Sequence, residues 1–182
     1  KLMKTILLGA KGIPSLPSDS DSETSLAWII NTLKGAGIRD INLVSGKAFK
    51  DVTKSYRGIN IVYNKQWDST GPLESLLLCK DLILESDVMI SYADVVYSQE
   101  LVSNFLSNLD DSPISIISDK NWTERYKRSP ASIKKAEKIL FTKFGKVRKV
   151  SRGDISINNA QAEYTGICYI KKEFSSEIIR IS

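Results

Sequence analysis

The sequence predicts an α/β fold built on a doubly wound, mostly parallel sheet. Three observations carry this. Short apolar runs alternate with segments of helical period from residue 4 to residue 118. The apolar runs are nearly continuous rather than polar at every second position, as in strands covered on both faces. Clusters of Gly, Pro and Ser punctuate the joins.

KTILLG (4–9) reads as the first buried strand, and Gly9-Ala10-Lys11-Gly12 opens a loop rich in Gly, Pro and Ser. Ser20 and Glu23 have capping-box spacing. Leu26, Ile29, Ile30 and Leu33 then form one helical stripe, which Gly35 and Gly37 end. INLVS (41–45) is a second strand, 48–56 a short helix and INIVY (59–63) a third strand. After a loop over 64–72, Pro72 sits at the first position of a helix expected over 73–83. DVMISYAD (87–94) reads as an apolar strand ending in a carboxylate. Leu101, Phe105 and Leu109 mark the next helix, and ISIIS (114–118) another strand.

Beyond residue 119 the character changes. Residues 119–135 are polar and loop-like. EKILFTK and KVRKVSR flank Phe144-Gly145 as a β-hairpin excursion. AEYTGICYIK (162–171) is a further strand, and EFSSEIIRIS opens a helix that runs to the last residue. A single domain over 1–182 is expected, with Met3 as the natural start and a natural C-terminal part beyond the chain.

Composition excludes some chemistry. Histidine is absent, which removes the commonest general base and transition-metal ligand. Cys79 and Cys168 each lie in an apolar run and read as buried free thiols. No run of 18 apolar residues and no secretory pattern occur, so a cytoplasmic protein without a membrane partner is expected. The net charge of +5 suits a small anionic ligand, with the basic residues spread along the chain.

Four segments can carry chemistry. The loop Gly9 to Gly12 follows a strand and precedes a helix, where backbone amides bind phosphate; its spacing is neither the dinucleotide fingerprint nor a Walker A loop. Asp94 stands at the carboxyl end of a strand, where a carboxylate can hold Mg²⁺ against phosphates. Asp119 to Arg128 sets Trp122 and Tyr126 among cations, a pattern for caging a cation or stacking on a base. The basic stretch Lys138 to Arg152 alternates with Ile139, Phe141, Val147 and Val150 and reads as a solvated hairpin face rather than a nucleic-acid surface.

Taken together, KTILLGAKG, LKGAGIRDINLVSG, GINIVYNKQWDSTGPLESLLLCKDLI, DVMISYADVV, ISDKNWTERYKRSP and AEYTGICYI resemble, in this order, the nucleotidyltransferases that make activated head groups and sugars. The wording is most similar to the phosphocholine and phosphonate cytidylyltransferases. The resemblance implies a Rossmann-like sheet of the nucleotide-diphospho-sugar transferase type. It implies transfer of a nucleoside monophosphate, CMP from CTP, to a small phosphate or phosphonate acceptor with loss of pyrophosphate. By this resemblance Gly9, Ala10, Lys11, Gly12 and Ser75 bind the nucleotide, and Lys11 and Asp94 are catalytic. Asp94 holds Mg²⁺, and Asp119, Trp122 and Tyr126 meet the acceptor. A homodimer is left open.

Two departures from the family pattern stand out. The signature arginine of the loop falls at about Pro14, and SLPSDSDSETS (15–25) contains no lysine or arginine. A second metal-binding carboxylate has no match better than Glu163. The alternative expectation is therefore a non-catalytic nucleotide-binding domain of a longer protein.

Overall fold

The computed structural model describes residues 3–12 and 24–181. The chain divides into two compact units, Lys1–Ser115 with Cys168–Ser182, and Ile116–Ile167.

The first unit is built on four parallel strands: β1 (Lys4–Gly9), β2 (Asp40–Ser45), β3 (Asn60–Tyr63) and β4 (Val88–Tyr92), in the order β3-β2-β1-β4. Between them run α1 (Ser25–Gly35), α2 (Phe49–Ser55), α3 (Pro72–Leu77) and α4 (Lys80–Glu85); α5 (Gln99–Ser107) follows β4. Strand alternation divides the side chains between the two faces. Ile6, Val44, Val88 and Ile90 cluster with Cys79, Ile83 and Ile170, against which Ile178 and Ile179 of α6 (Ser175–Ile181) pack. Leu7, Leu43 and Met89, also buried, alternate to the opposite face. The predicted α1 stripe, Leu26, Ile29, Ile30 and Leu33, is buried throughout, and α1 packs on α5. Burial pushes the Cys79 thiol up to about 11. Neither cysteine is in a disulfide; Cys79 is buried and Cys168 half-buried.

Four details differ from the sequence expectations. Thr24 caps α1, its Oγ1 accepting the Ala27 N–H at 3.1 Å; Ser20 and Glu23 lie outside the described residues. The helix expected over 73–83 is two helices, because the chain tightens to an i→i−3 bond from Cys79 N to Leu76 O (2.9 Å). The strand expected to end at Asp94 stops at Tyr92. On α5 the buried position is Val102, whereas Leu101 is exposed.

In the second unit, β5 (Ile114–Asp119) leads into 3₁₀ turns over Trp122–Tyr126 and Pro130–Lys135, where only loop was expected. The hairpin forms as expected: β6 (Lys138–Phe141) pairs antiparallel with β7 (Val147–Ser151), and also with β8 (Ala162–Ile170). Thr165 Oγ1 donates to Ile117 O at 2.9 Å, tying β8 to β5. The hairpin is less uniformly solvated than its charge pattern implied. Lys138 is buried and donates to the carbonyls of Ala136 and Arg152, while Arg152 pairs with Glu137 and Lys149 with Asp154. Among the described residues, no helix is long and apolar enough to cross a membrane.

Candidate active site

In an open parallel sheet, ligands bind beyond the carboxyl ends of the strands. At that edge of the first unit, three backbone bonds tie neighbouring loops together. Lys47 N donates to Ala10 O at 2.9 Å, Asn64 N to Ser45 O at 2.9 Å, and Ala93 N to Leu8 O at 3.0 Å. The chain segments at Ala10, Gly46, Asn64 and Asp94 therefore leave the sheet side by side. Gly46 permits this closeness: a Cβ there would stand 2.2 Å from Trp67 Cβ and 2.6 Å from Ala10 O.

Within the first loop, Gly9 pairs in register with Ser45, Ala10 is buried and Lys11 is exposed. Gly12 adopts φ +140°, and its N–H turns back toward Gly9 O at 3.3 Å. Of the amides expected to hold phosphate, that of Gly12 thus closes the loop's own turn. Pro14 and residues 15–23 lie outside the described residues. Asp94 sits two residues beyond β4, in a turn, exposed. Among the described residues no group of three or more His, Cys, Asp or Glu could hold a metal ion. Asp94 is instead one carboxylate at the sheet edge, which suits an ion shared with substrate phosphates.

Ser75 lies on α3, which packs against β1, and is 3% exposed. Its position is set by Asn64, equally buried, the first residue beyond β3. Asn64 Nδ2 donates to Ser75 Oγ at 3.0 Å and to Thr70 Oγ1 at 2.9 Å. Asn64 Oδ1 accepts the Gln66 N–H at 2.9 Å, and Thr70 Oγ1 donates to Gln66 O at 2.7 Å. Glu74 then caps α3 by accepting the Gly71 N–H at 3.0 Å. Sequence reasoning missed Asn64 and Trp67. The available signal for Asn64 was a polar residue directly after an apolar strand run, the same signal that drew attention to Asp94.

The acceptor candidates all lie in the second unit, and the structure brings them together. Asp119 accepts the Asn121 N–H at 2.8 Å and pairs with Arg125 at 3.2 Å. Arg125 also binds Glu163, whose other oxygen accepts the Tyr126 hydroxyl at 2.6 Å. Burial, then Glu163, pushes the Tyr126 hydroxyl up to about 12. Trp122 is 2% exposed and meets Tyr126 edge-on at 6.0 Å, so its ring packs inside the unit rather than forming an open cage. Arg125 was missed as the link in this group. Each Glu163 oxygen thus accepts one of these partners.

No protein-family model matches the chain. The chain is 29% identical over 179 residues to the CTP:phosphoglutamine cytidylyltransferase of Campylobacter jejuni, covering 93% of this chain and 69% of that protein. Its fold is similar to that of the inositol-1-phosphate CTP transferase from T. maritima, with a TM-score of 0.72 and 16% identity over 97% of this chain and 74% of that one. It is also similar to CMP:2-keto-3-deoxy-manno-octonic acid synthetase complexed with CTP, with a TM-score of 0.68 and 11% identity over 100% and 79%. At these identities the two structures speak for the fold: a mostly parallel α/β sheet of the nucleotide-diphospho-sugar transferase type.

Proposed function

We propose that the chain is an enzyme, a nucleotidyltransferase of the cytidylyltransferase type, that transfers CMP from CTP to a small phosphorylated acceptor and releases pyrophosphate. The observation that carries this reading is the likeness to a CTP-using relative along nearly the whole chain. The convergence of the Gly9–Gly12 loop, Gly46, Asn64 and Asp94 at one sheet edge supports it.

In the proposed reaction an acceptor phosphate oxygen attacks the α-phosphorus of CTP in line. The bond to the bridging oxygen breaks, and the electron pair leaves with pyrophosphate. This chemistry needs placement and charge stabilisation rather than a strong base, so it suits a chain without histidine. The amides of Ala10 and Lys11 and the Lys11 ammonium hold the phosphates. Ser75 meets the cytosine. Asp94 would hold a divalent ion, Mg²⁺ by the chemistry of a hard carboxylate ligand, and that ion would supply neutralisation of phosphate charge. Asp119, Trp122 and Tyr126 serve the acceptor, with Arg125 presenting Asp119 and Trp122 anchoring the turn by its packing.

A second reading is nucleotide binding without turnover. It is favoured by one observation: residues 15–25 supply no cation to the triphosphate. Pyrophosphate release separates the two readings. The chain is supplied with CTP, Mg²⁺ and, in turn, phosphoglutamine, inositol 1-phosphate and phosphocholine. Release with one of them is expected; a thermal shift with CTP but no release with any supports the second reading. Asp94→Asn is expected to lower kcat/KM by about 10²-fold or more. Because Asp94 is exposed, folding stability should stay within about 0.5 kcal/mol. Full activity of that variant would remove Asp94 from the site.

A further inference from the structure

We infer that Asn64 is a positioning residue that sets the base preference of the site, by holding the Ser75 hydroxyl as a hydrogen-bond donor. The inference rests on the proposed placement of Ser75 at the pyrimidine and extends it to the choice between two pyrimidines.

The orientation of the Asn64 amide is fixed by a backbone group. The Gln66 N–H can only donate, so the Asn64 atom that it meets at 2.9 Å must be oxygen. Nδ2 is then the atom facing Ser75 Oγ at 3.0 Å, and Ser75 must accept from it. A hydroxyl that accepts there turns its own proton elsewhere. Among the described residues that proton has no acceptor, although Ser75 is 3% exposed and its N–H already bonds to Gly71 O at 3.2 Å. A buried donor without an acceptor is costly, and a ligand atom that satisfies it gains what the free protein lacks.

The sign of that leftover group matters. Cytosine and uracil differ at N3: cytosine presents a lone pair, uracil an N–H. A Ser75 hydroxyl held as donor is complementary to cytosine N3 and leaves the uracil N3–H facing another hydrogen. Sites built around one hydrogen-bond pattern reject the wrong partner because buried polar groups are left unpaired. Asn64 is therefore the residue that makes Ser75 read cytosine.

The consequence is reversible by one atom. Asp in place of Asn64 keeps the oxygen for the Gln66 N–H but presents a second oxygen toward Ser75. The Ser75 proton then turns to the carboxylate, and Ser75 offers a lone pair to the ligand, which matches uracil N3–H. Wild type, Asn64→Asp and Ser75→Ala are compared by titration with CTP and with UTP in Mg²⁺, reading the ratio of the two affinities. We expect wild type to prefer CTP, and Asn64→Asp to cut the CTP-over-UTP ratio by about tenfold or more while retaining UTP binding. Ser75→Ala should weaken CTP and flatten the ratio. Equal loss of CTP and UTP affinity in Asn64→Asp, with Ser75→Ala behaving as expected, overturns the inference and leaves the site reading standing. Unchanged CTP affinity in Ser75→Ala overturns both. Should Asn64→Asp not fold, wild type itself decides: 3-deazacytidine triphosphate, which carries C–H in place of the N3 lone pair, should bind about tenfold more weakly than CTP. Equal affinity overturns the inference.

Discussion

The carboxyl edge of the first unit and the 119–126 turn of the second unit handle polar groups in opposite ways. In the second unit the charges complete one another. Asp119 and Glu163 share Arg125, and Glu163 takes the Tyr126 hydroxyl, so both oxygens of a carboxylate with a 9% exposed side chain are used. In the first unit polar capacity is left over. Among the described residues the Ser45 hydroxyl is buried at this edge without a hydrogen-bond partner, as are those of Thr5 near the start of β1 and of Tyr97, and Ser75 accepts one bond while its proton has no acceptor. A folded chain keeps unpaired buried polar groups only at a cost, so each calls for an explanation, and at a sheet's carboxyl edge a ligand can supply it. The comparison teaches where to look for the nucleotide: the satisfied cluster stabilises the turn that carries the proposed acceptor residues, and the edge with polar capacity left over is the one proposed to take CTP.

The largest effect on stability is expected from breaking the satisfied cluster. Glu163→Ala removes the acceptor of both Arg125 and Tyr126, and hydrogen bonds to a charged group contribute about 1.5–3 kcal/mol each. Arg125 is 53% exposed in its side chain and can turn to water, which holds the expected loss to about 2–3 kcal/mol. Urea unfolding measures it as a lower midpoint at unchanged slope. CTP affinity, assigned to the first unit, should stay within about twofold once the variant is folded. A large loss of CTP affinity with intact stability would reverse the roles given to the two regions.

Gly46→Ala probes the other side. The added methyl would meet Trp67 Cβ and Ala10 O inside van der Waals contact, and neither a side-chain root nor a backbone carbonyl moves freely. A cost of about 1–3 kcal/mol is expected, read from the urea midpoint. Unlike Glu163→Ala, this change displaces the loops that carry the nucleotide candidates, so CTP affinity should fall with stability. Loss of stability without loss of affinity would mean that the Gly46–Trp67 contact serves the fold alone.

What could be read from the sequence follows from how local its cause is. Strands β1 to β4 were legible because each is an apolar run bounded by turn residues. The α3–α4 break was not, since no Gly or Pro marks Leu78 and Cys79, and the tightened turn there is a choice of the packed chain. The phase of α5 was ambiguous. The stripe of Leu101, Phe105 and Leu109 and that of Val102, Phe105, Leu106 and Leu109 both fit a helical period, and burial selected the second. Asp94 and the glycine loop could be singled out because the end of a strand is itself a signal. Asn64 acquires its meaning from Ser75, eleven residues on, and Arg125 from Glu163, 38 residues on. Neither partnership has a spacing rule, so residue type alone did not expose them.

The smallest effect is expected in alkali, where the two regions can be told apart by one tyrosine. Burial first, then Glu163, raises Tyr126 from 10.0 to about 12, and Tyr97 and Tyr169 of the first unit are raised to about 12, also chiefly by burial. Below pH 10 all three hydroxyls hold their protons whether the chain is folded or unfolded, and their contribution is complete. Between pH 10 and 12 the unfolded chain releases protons that the folded chain still holds, so the unfolded state is favoured. Stability should therefore decline through that window and lose the contribution above about 12. Tyr126→Phe removes one of the three groups. Its urea midpoint should be lower than wild type at pH 8, from the lost bond to Glu163, and should fall less steeply from pH 9 to 11. A slope equal to that of wild type would mean that Tyr126 ionises alike in both states. The second unit's cluster would then be looser than its hydrogen bonds imply, and the contrast with the first unit's open edge would lose its satisfied member.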